Sequence, residues 1–365
     1  MNATIDVDLN AIVHNLSQVK KIIYPETKII GVVKSNAYGH GLVETARAVW
    51  TSGADILAVQ SIEEAVELRV NKIRSPILVL GYVDQKDFYK AIEFDITLTA
   101  YDLDVLYLLH LEAKKHNRWV RVDFKVDTGM NRLGFKSFEA AEKYQEVLKF
   151  EHIRIEGIHS HFAAPEDKEF CFQQLKEFQN VLFYLQQQKI QIPLVHMAAT
   201  DTTFLYNESQ FDAVRIGQGL YGYSDNKKFQ DKLQPVLSLK SQVVSIKRVA
   251  KGESVSYDRI YKASSSKRIA IVPVGYADGY PRSLSNKSEA LVAGSRVKVV
   301  GRICMNALMI DVTGVKCTVG DEVVLIGGQK EEFVSASELA KLGETIPREI
   351  LSCLSPAISR EYHFK

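Results

Sequence analysis

A lysine stands where a buried strand should end. Ile29-Ile30-Gly31-Val32-Val33 is a continuous apolar run, the pattern of a strand covered on both faces in a parallel sheet. The run stops at Lys34 and passes into Ser35-Asn36-Ala37-Tyr38-Gly39-His40-Gly41, a polar loop punctuated by glycine. A charge at that point is costly unless it is lowered or paired. Two uses fit it: an amine nucleophile that forms a Schiff base with a carbonyl, or a side chain that snorkels out to water. Reactive types recur at the ends of later apolar runs. Lys125-Val126-Asp127-Thr128-Gly129-Met130-Asn131-Arg132 follows one, His159-Ser160-His161-Phe162 closes another, and Arg215 lies in Val214-Arg215-Ile216-Gly217. Read singly, Lys125, Arg132 and Arg215 serve equally as solvated charges, and His161 as a structural histidine.

The elements that must position these residues are strands. Apolar runs at 29–33, 55–59, 76–80, 96–99, 120–126, 153–159, 192–197 and 213–216 alternate with helix-like stretches at 9–23, 62–70, 102–115, 137–149 and 168–188. Eight strands alternating with helices predict a (β/α)8 TIM-type barrel, whose active site gathers at the C-terminal strand ends. An open doubly wound sheet is the alternative. In a barrel, Thr200 follows strand seven and the Gly217-Gln218 backbone follows strand eight, where barrel phosphate sites form. Gly217-Gln218-Gly219-Leu220-Tyr221-Gly222 also spells G-x-G-x-x-G. It falls last in the barrel with no βαβ unit after it, so the dinucleotide reading is rejected. From about Lys232 short β-rich runs separated by turn residues predict a smaller, mostly antiparallel β domain. The charged, polar stretch 225–232 is the expected boundary, giving a barrel domain over 1–230 and a β domain over 231–365.

Composition narrows the class. A net charge of +2 argues for neither a nucleic-acid nor a membrane partner. No apolar run reaches the length of a membrane span, and Met1-Asn2-Ala3-Thr4-Ile5-Asp6 lacks a basic segment followed by an apolar stretch, so no signal peptide is expected. Cys171, Cys304, Cys317 and Cys353 show neither paired nor metal-ligand spacing, so no metal is expected and the cytoplasm is the expected compartment.

The motifs resemble those of the alanine racemase family. Val32-Val33-Lys34-Ser35-Asn36-Ala37-Tyr38-Gly39-His40-Gly41 is similar to the family's pyridoxal-phosphate lysine motif, and further family motifs recur in order, so the resemblance spans essentially the whole chain. It implies that Lys34 holds pyridoxal 5'-phosphate and later acts as one of two acid/base groups. Tyr38 resembles the tyrosine that contacts the phosphate, beside Thr200, Gly217 and Gln218. Arg132 would hold the cofactor's phenolic oxygen and the substrate carboxylate, a task suited to a planar guanidinium. Lys125 matches a position often carbamylated in the family, which gives an anion that orients that arginine. His161 matches a histidine that contacts the arginine of strand eight. That arginine, Arg215, would face the pyridine nitrogen and leave it largely unprotonated, which weakens the electron sink and restrains transamination.

The β-rich part carries its own motifs. Ser254-Val255-Ser256-Tyr257 resembles the motif of the second base. A phenol has a reference pKa of about 10, so Tyr257 needs positive charge nearby, for which His161 and Arg215 are the candidates. Val274-Gly275-Tyr276-Ala277-Asp278-Gly279 is a family signature whose Tyr276 would line the substrate entrance. Arg302-Ile303-Cys304-Met305-Asn306 resembles the segment whose methionine N–H, that of Met305, meets the substrate carboxylate. The implied protein is a homodimer with shared active sites and a small amino acid as substrate. Tyr257 would exchange the α-proton on the L face and Lys34 on the D face.

Three positions depart from the family pattern: Asn306 stands where aspartate is usual, Pro356 where a tyrosine is usual, and Ala199 where an asparagine is usual. Alanine is the leading substrate, with serine or a broader amino-acid range as the alternative. A barrel-type pyridoxal-phosphate decarboxylase and a non-catalytic pyridoxal-phosphate-binding protein are more remote readings. The Tyr257 and Val274-to-Gly279 motifs argue against the first, and the long β domain against the second.

Overall fold

The computed structural model describes residues 3–364, which fall into two units. One unit comprises residues 13–35 and 42–233. Its strands are Lys28–Val32, Ile56–Val59, Ile77–Val79, Thr97–Ala100, Val120–Asp127, Ile153–His159, Val195–Ala199 and Ala213–Ile216. Each pairs in parallel with the next, and the eighth pairs with the first, so the sheet closes. These are the eight runs expected from the sequence, and the TIM-type barrel stands. The seventh begins later than its apolar run because Pro193 has no N–H to give to a ladder.

Helices between the strands start where capping residues dictate. Ser61, Asp102 and Asp167 accept hydrogen bonds from the N–H groups of Glu64, Val105 and Phe170. The first helix, Leu9–Lys20, ends earlier than its periodicity suggested, since Pro25 disfavours helical geometry at the residue before it. The barrel interior is only partly apolar. Along Val120–Asp127 a two-residue period places Asp123, Lys125 and Asp127 on one face, and all three are buried.

The second unit takes in residues up to Ile12, 36–41 and 234 onward. Its main sheet has seven strands, with Ala3–Asp8 paired antiparallel to Leu237–Gln242 and parallel to Ser359–His363. Ala3–Asp8 therefore opens the 1–230 span yet pairs in this sheet. Its alternation explains why: Ile5 and Val7 are fully buried while Asp6 and Asp8 face outward, the pattern of a sheet with one covered face. A three-stranded antiparallel sheet joins Ser245–Val249, Lys267–Val272 and Leu308–Asp311. Residues 241–246 thus hold the end of Leu237–Gln242 and the start of Ser245–Val249. Two short helices that the sequence reading left out, Ala336–Gly343 and Pro347–Ser352, follow; the second carries Pro at its first helical position.

Candidate active site

Lys34 leaves the first barrel strand at its C-terminal end, and burial with the nearby charge of Arg132 lowers its pKa from the usual lysine value. Its Nζ lies 3.4 Å from Gln60 Oε1, so the amine is steered without being tied into an ion pair. The turn that begins at Lys34 is unusual. Ser35, Asn36, Ala37 and Tyr38 have φ of +56°, +53°, +51° and +53°, one turn of left-handed helix built from non-glycine residues. Each such residue costs roughly 1–2 kcal/mol, and strain of this kind collects at functional sites.

Arg215, on the eighth strand, is 5% exposed. Its Nη2 donates to the carbonyls of Ser160 (2.6 Å) and Met197 (2.7 Å) and to His161 Nδ1 (3.1 Å). Its Nη1 donates to the carbonyl and Nδ1 of His196. Among the described residues its Nε–H makes no hydrogen bond, so one donor of a locked guanidinium stays available to an occupant of the barrel mouth. Burial first, then Arg215, lowers the pKa of His161 well below the usual histidine value.

Lys125 is 6% exposed. Burial, with Arg132 and Arg215 adding to it, brings its pKa down to about 8. A share of this amine is therefore uncharged near neutral pH. Arg132 sits beyond it on an exposed loop, within electrostatic range of Lys34, Lys125, His161 and Arg215.

After strands seven and eight, Thr200 Oγ1 accepts N–H bonds from Gly217 (3.2 Å) and Gly219 (3.3 Å). A Cβ on Gly219 would lie 2.8 Å from Thr200 Cγ2, so only glycine lets this loop close over the threonine. Gln218 Nε2 donates to Asp201 Oδ2 at 2.6 Å, which fixes the loop from its outer side.

In the second unit the three family motifs of the β part come together. Ser256 Oγ donates to the Arg302 carbonyl (2.7 Å), and Arg302 Nε to Asp258 Oδ2 (2.9 Å). The N–H groups of Tyr276 and Ala277 donate to the carbonyls of Cys304 (3.1 Å) and Met305 (2.9 Å). Tyr257, Tyr276 and Met305 are 65%, 42% and 55% exposed. Tyr38 is half-buried here, its phenol held protonated by burial against a smaller opposing effect of Arg348.

The sequence patterns described as "Alanine racemase, N-terminal domain" and "Alanine racemase, C-terminal domain" match residues 7–225 and 236–362. The chain belongs to the alanine racemase family. Alanine racemase 2 of Caldanaerobacter subterraneus is 40% identical to it, over 99% of this chain and 95% of the relative. The alanine racemase of Methanococcus maripaludis is 38% identical, over 98% of this chain and 97% of its own length. Among solved structures, alanine racemase from Bacillus anthracis with bound L-Ala-P superposes with a TM-score of 0.93 at 33% identity, covering 100% of this chain and 95% of that one. The enzyme of a D-cycloserine-producing Streptomyces lavendulae gives 0.95 at 30% identity, covering 100% and 98%.

For an alanine racemase family member the barrel mouth is chemically apt. A desolvated lysine amine, a glycine–threonine loop too close for any other residue, and a buried guanidinium with a spare N–H are groups that could hold an aldehyde, a phosphate and a pyridine nitrogen. The residues present therefore fit pyridoxal phosphate. His196, which accepts from Arg215, and Asp123, which accepts from His196, were missed as functional residues. Their signal was available: Asp123 precedes Lys125 by two on a buried strand, so both had to face the same way.

Proposed function

We propose that this chain interconverts L- and D-alanine with pyridoxal 5'-phosphate as cofactor. The observation that carries the reading is Lys34, desolvated at a barrel-strand end within range of Arg132, in a chain of this family. Lys34 would hold the cofactor, Thr200, Gly217, Gln218 and Tyr38 its phosphate, and Arg215 its ring nitrogen. Bound there, pyridoxal phosphate supplies the electron sink that makes the substrate α C–H acidic. The chain's own residues do the rest. Arg132 and the Met305 N–H fix the substrate carboxylate, Lys34 Nζ exchanges a proton on the D face, and Tyr257 Oη exchanges one on the L face. A lowered lysine pKa suits that task, since the amine must both take and give the proton. Lys125, partly uncharged near pH 8, is able to react with carbon dioxide, losing a proton to become a carbamate anion that orients Arg132. Tyr276 lines the entrance. The exposure of Tyr257 and Met305 supports a homodimer in which these residues of one chain serve the other chain's barrel.

The test is loss of optical activity from L-alanine on adding enzyme and pyridoxal phosphate, with L-serine in parallel. Borohydride reduction and peptide mapping should then mark Lys34. A stable rotation for both amino acids, or a label on another lysine, overturns the reading.

A further inference from the structure

Beneath Arg215 lies a buried polar assembly that the proposed chemistry does not use. Asp123 Oδ1 accepts from His159 Nδ1 at 2.5 Å, and Asp123 Oδ2 accepts from His196 Nε2 at 2.9 Å. The two imidazoles stack with centroids 4.9 Å apart and planes 8° from parallel. Asp123, His159 and His196 are 3%, 3% and 0% exposed. The barrel is cut to hold the carboxylate: a Cβ on Gly157, its register partner, would stand 2.8 Å from Asp123 Oδ2. His196 joins this carboxylate to the active site, because its other ring nitrogen, Nδ1, accepts from Arg215 Nη1.

These contacts fix a proton. An arginine has only donors, so His196 Nδ1 must present a lone pair to it. A neutral imidazole then carries its hydrogen on Nε2, facing the carboxylate, and only an acceptor there keeps that tautomer in place. We propose that Asp123 is a positioning residue, which acts through His196 to hold the Arg215 guanidinium charged and in a single orientation at the barrel mouth. Asp123 is also the anion that offsets a guanidinium buried to 5% exposure, a charge that would otherwise be left without compensation. Burial and Arg215 lower the pKa of both imidazoles against the pull of Asp123, consistent with donors that carry one hydrogen each.

A metal would use the same three side chains, whose ligand atoms lie within 4.8 Å of one another. The spacing disfavours it. The two carboxylate–imidazole distances are those of hydrogen bonds, and the face of His196 away from Asp123 is already turned to a cation.

The kinetic arm of the test rests on the proposed function; the spectroscopic arm does not. In full-length, cofactor-loaded protein labelled with 15N-histidine, His196 should show a protonated Nε2 and a bare Nδ1 at neutral pH. Asp123→Asn removes the charge and gives one histidine a donor in place of an acceptor. It should change the His196 and His159 nitrogen signals and lower kcat for L-alanine at least tenfold while KM moves less than threefold. Asp123→Glu, which keeps the charge, should recover part of kcat. A bare Nε2 or a doubly protonated ring in the wild type, a stoichiometric bound metal, or an Asn variant within twofold of wild-type kcat each overturns the proposal. The wild-type tautomer and metal content decide it even if the Asn variant does not fold. A wild type that racemises nothing would sink the proposed function and leave the tautomer test standing.

Discussion

At the scale of single residues, the barrel depends on histidines that stay neutral. Burial takes His159 down to about 3, against the opposing pull of Asp123, and lowers His196 as well. In the unfolded chain both titrate near 6.5. Between those limits the unfolded state binds more protons, so stability is complete above pH 6.5 and falls as pH drops towards 3. Each group contributes a slope of up to roughly 1.4 kcal/mol per pH unit. Denaturant midpoints measured from pH 8 to pH 4 should hold steady and then fall below pH 6.5. A midpoint flat down to pH 4.5 would show that the two rings are not kept neutral by burial. Residues at strand ends were legible in the sequence, because a charge that stops an apolar run is conspicuous. Asp123 and His196 were not, because each lies inside its run, where only the two-residue period reveals a polar layer.

At the scale of elements, the turn after Lys34 holds four non-glycine residues at positive φ. Ser35 is exposed, so replacing it removes strain without emptying a packed site. Ser35→Gly should stabilise the protein by about 1 kcal/mol, a rise of about 2 °C in Tm, and Ser35→Val should lower it. If glycine melts no higher than serine, the turn is not strained. A second element, the turn at 353–358, carries the exposed Pro356 where the family pattern is expected to have an aromatic wall and a hydroxyl. Asn306, also exposed, keeps the size of aspartate without its charge and adds an amide donor. Both changes should make a polar or longer side chain less unwelcome than in a strict alanine enzyme. A lost apolar contact discriminates by only roughly 1–3 kcal/mol, so alanine should still react. Measurable serine racemisation is expected, with Pro356→Tyr raising the alanine-to-serine ratio of kcat/KM. An unchanged ratio would return the enzyme to a plain alanine racemase. The eight barrel strands were legible because parallel strands buried on both faces read as unbroken apolar runs. Ala3–Asp8 was not, since its partners lie hundreds of residues away and no local pattern names them.

At the scale of the whole molecule, the proposed homodimer with shared sites makes one prediction. Lys34→Ala and Tyr257→Phe subunits, each inactive alone, should regain part of the wild-type activity when mixed, because one heterodimer site keeps both bases. Heterodimers that form without recovery would argue for complete sites in single chains. The placement of Ala3–Asp8 has a further consequence, for how the molecule is made. During synthesis this strand leaves the ribosome long before either neighbour, Leu237–Gln242 or Ser359–His363, exists. At about 5–20 residues per second it waits roughly 10–50 s for the first of them, an unpaired segment with three apolar side chains, Ala3, Ile5 and Val7, while the barrel strands emerge in pairing order. Vectorial folding can therefore complete the barrel early, but the seven-stranded sheet only after Ser359–His363 has emerged. Ribosome-associated chaperones should find a long-lived client segment at Ala3–Asp8.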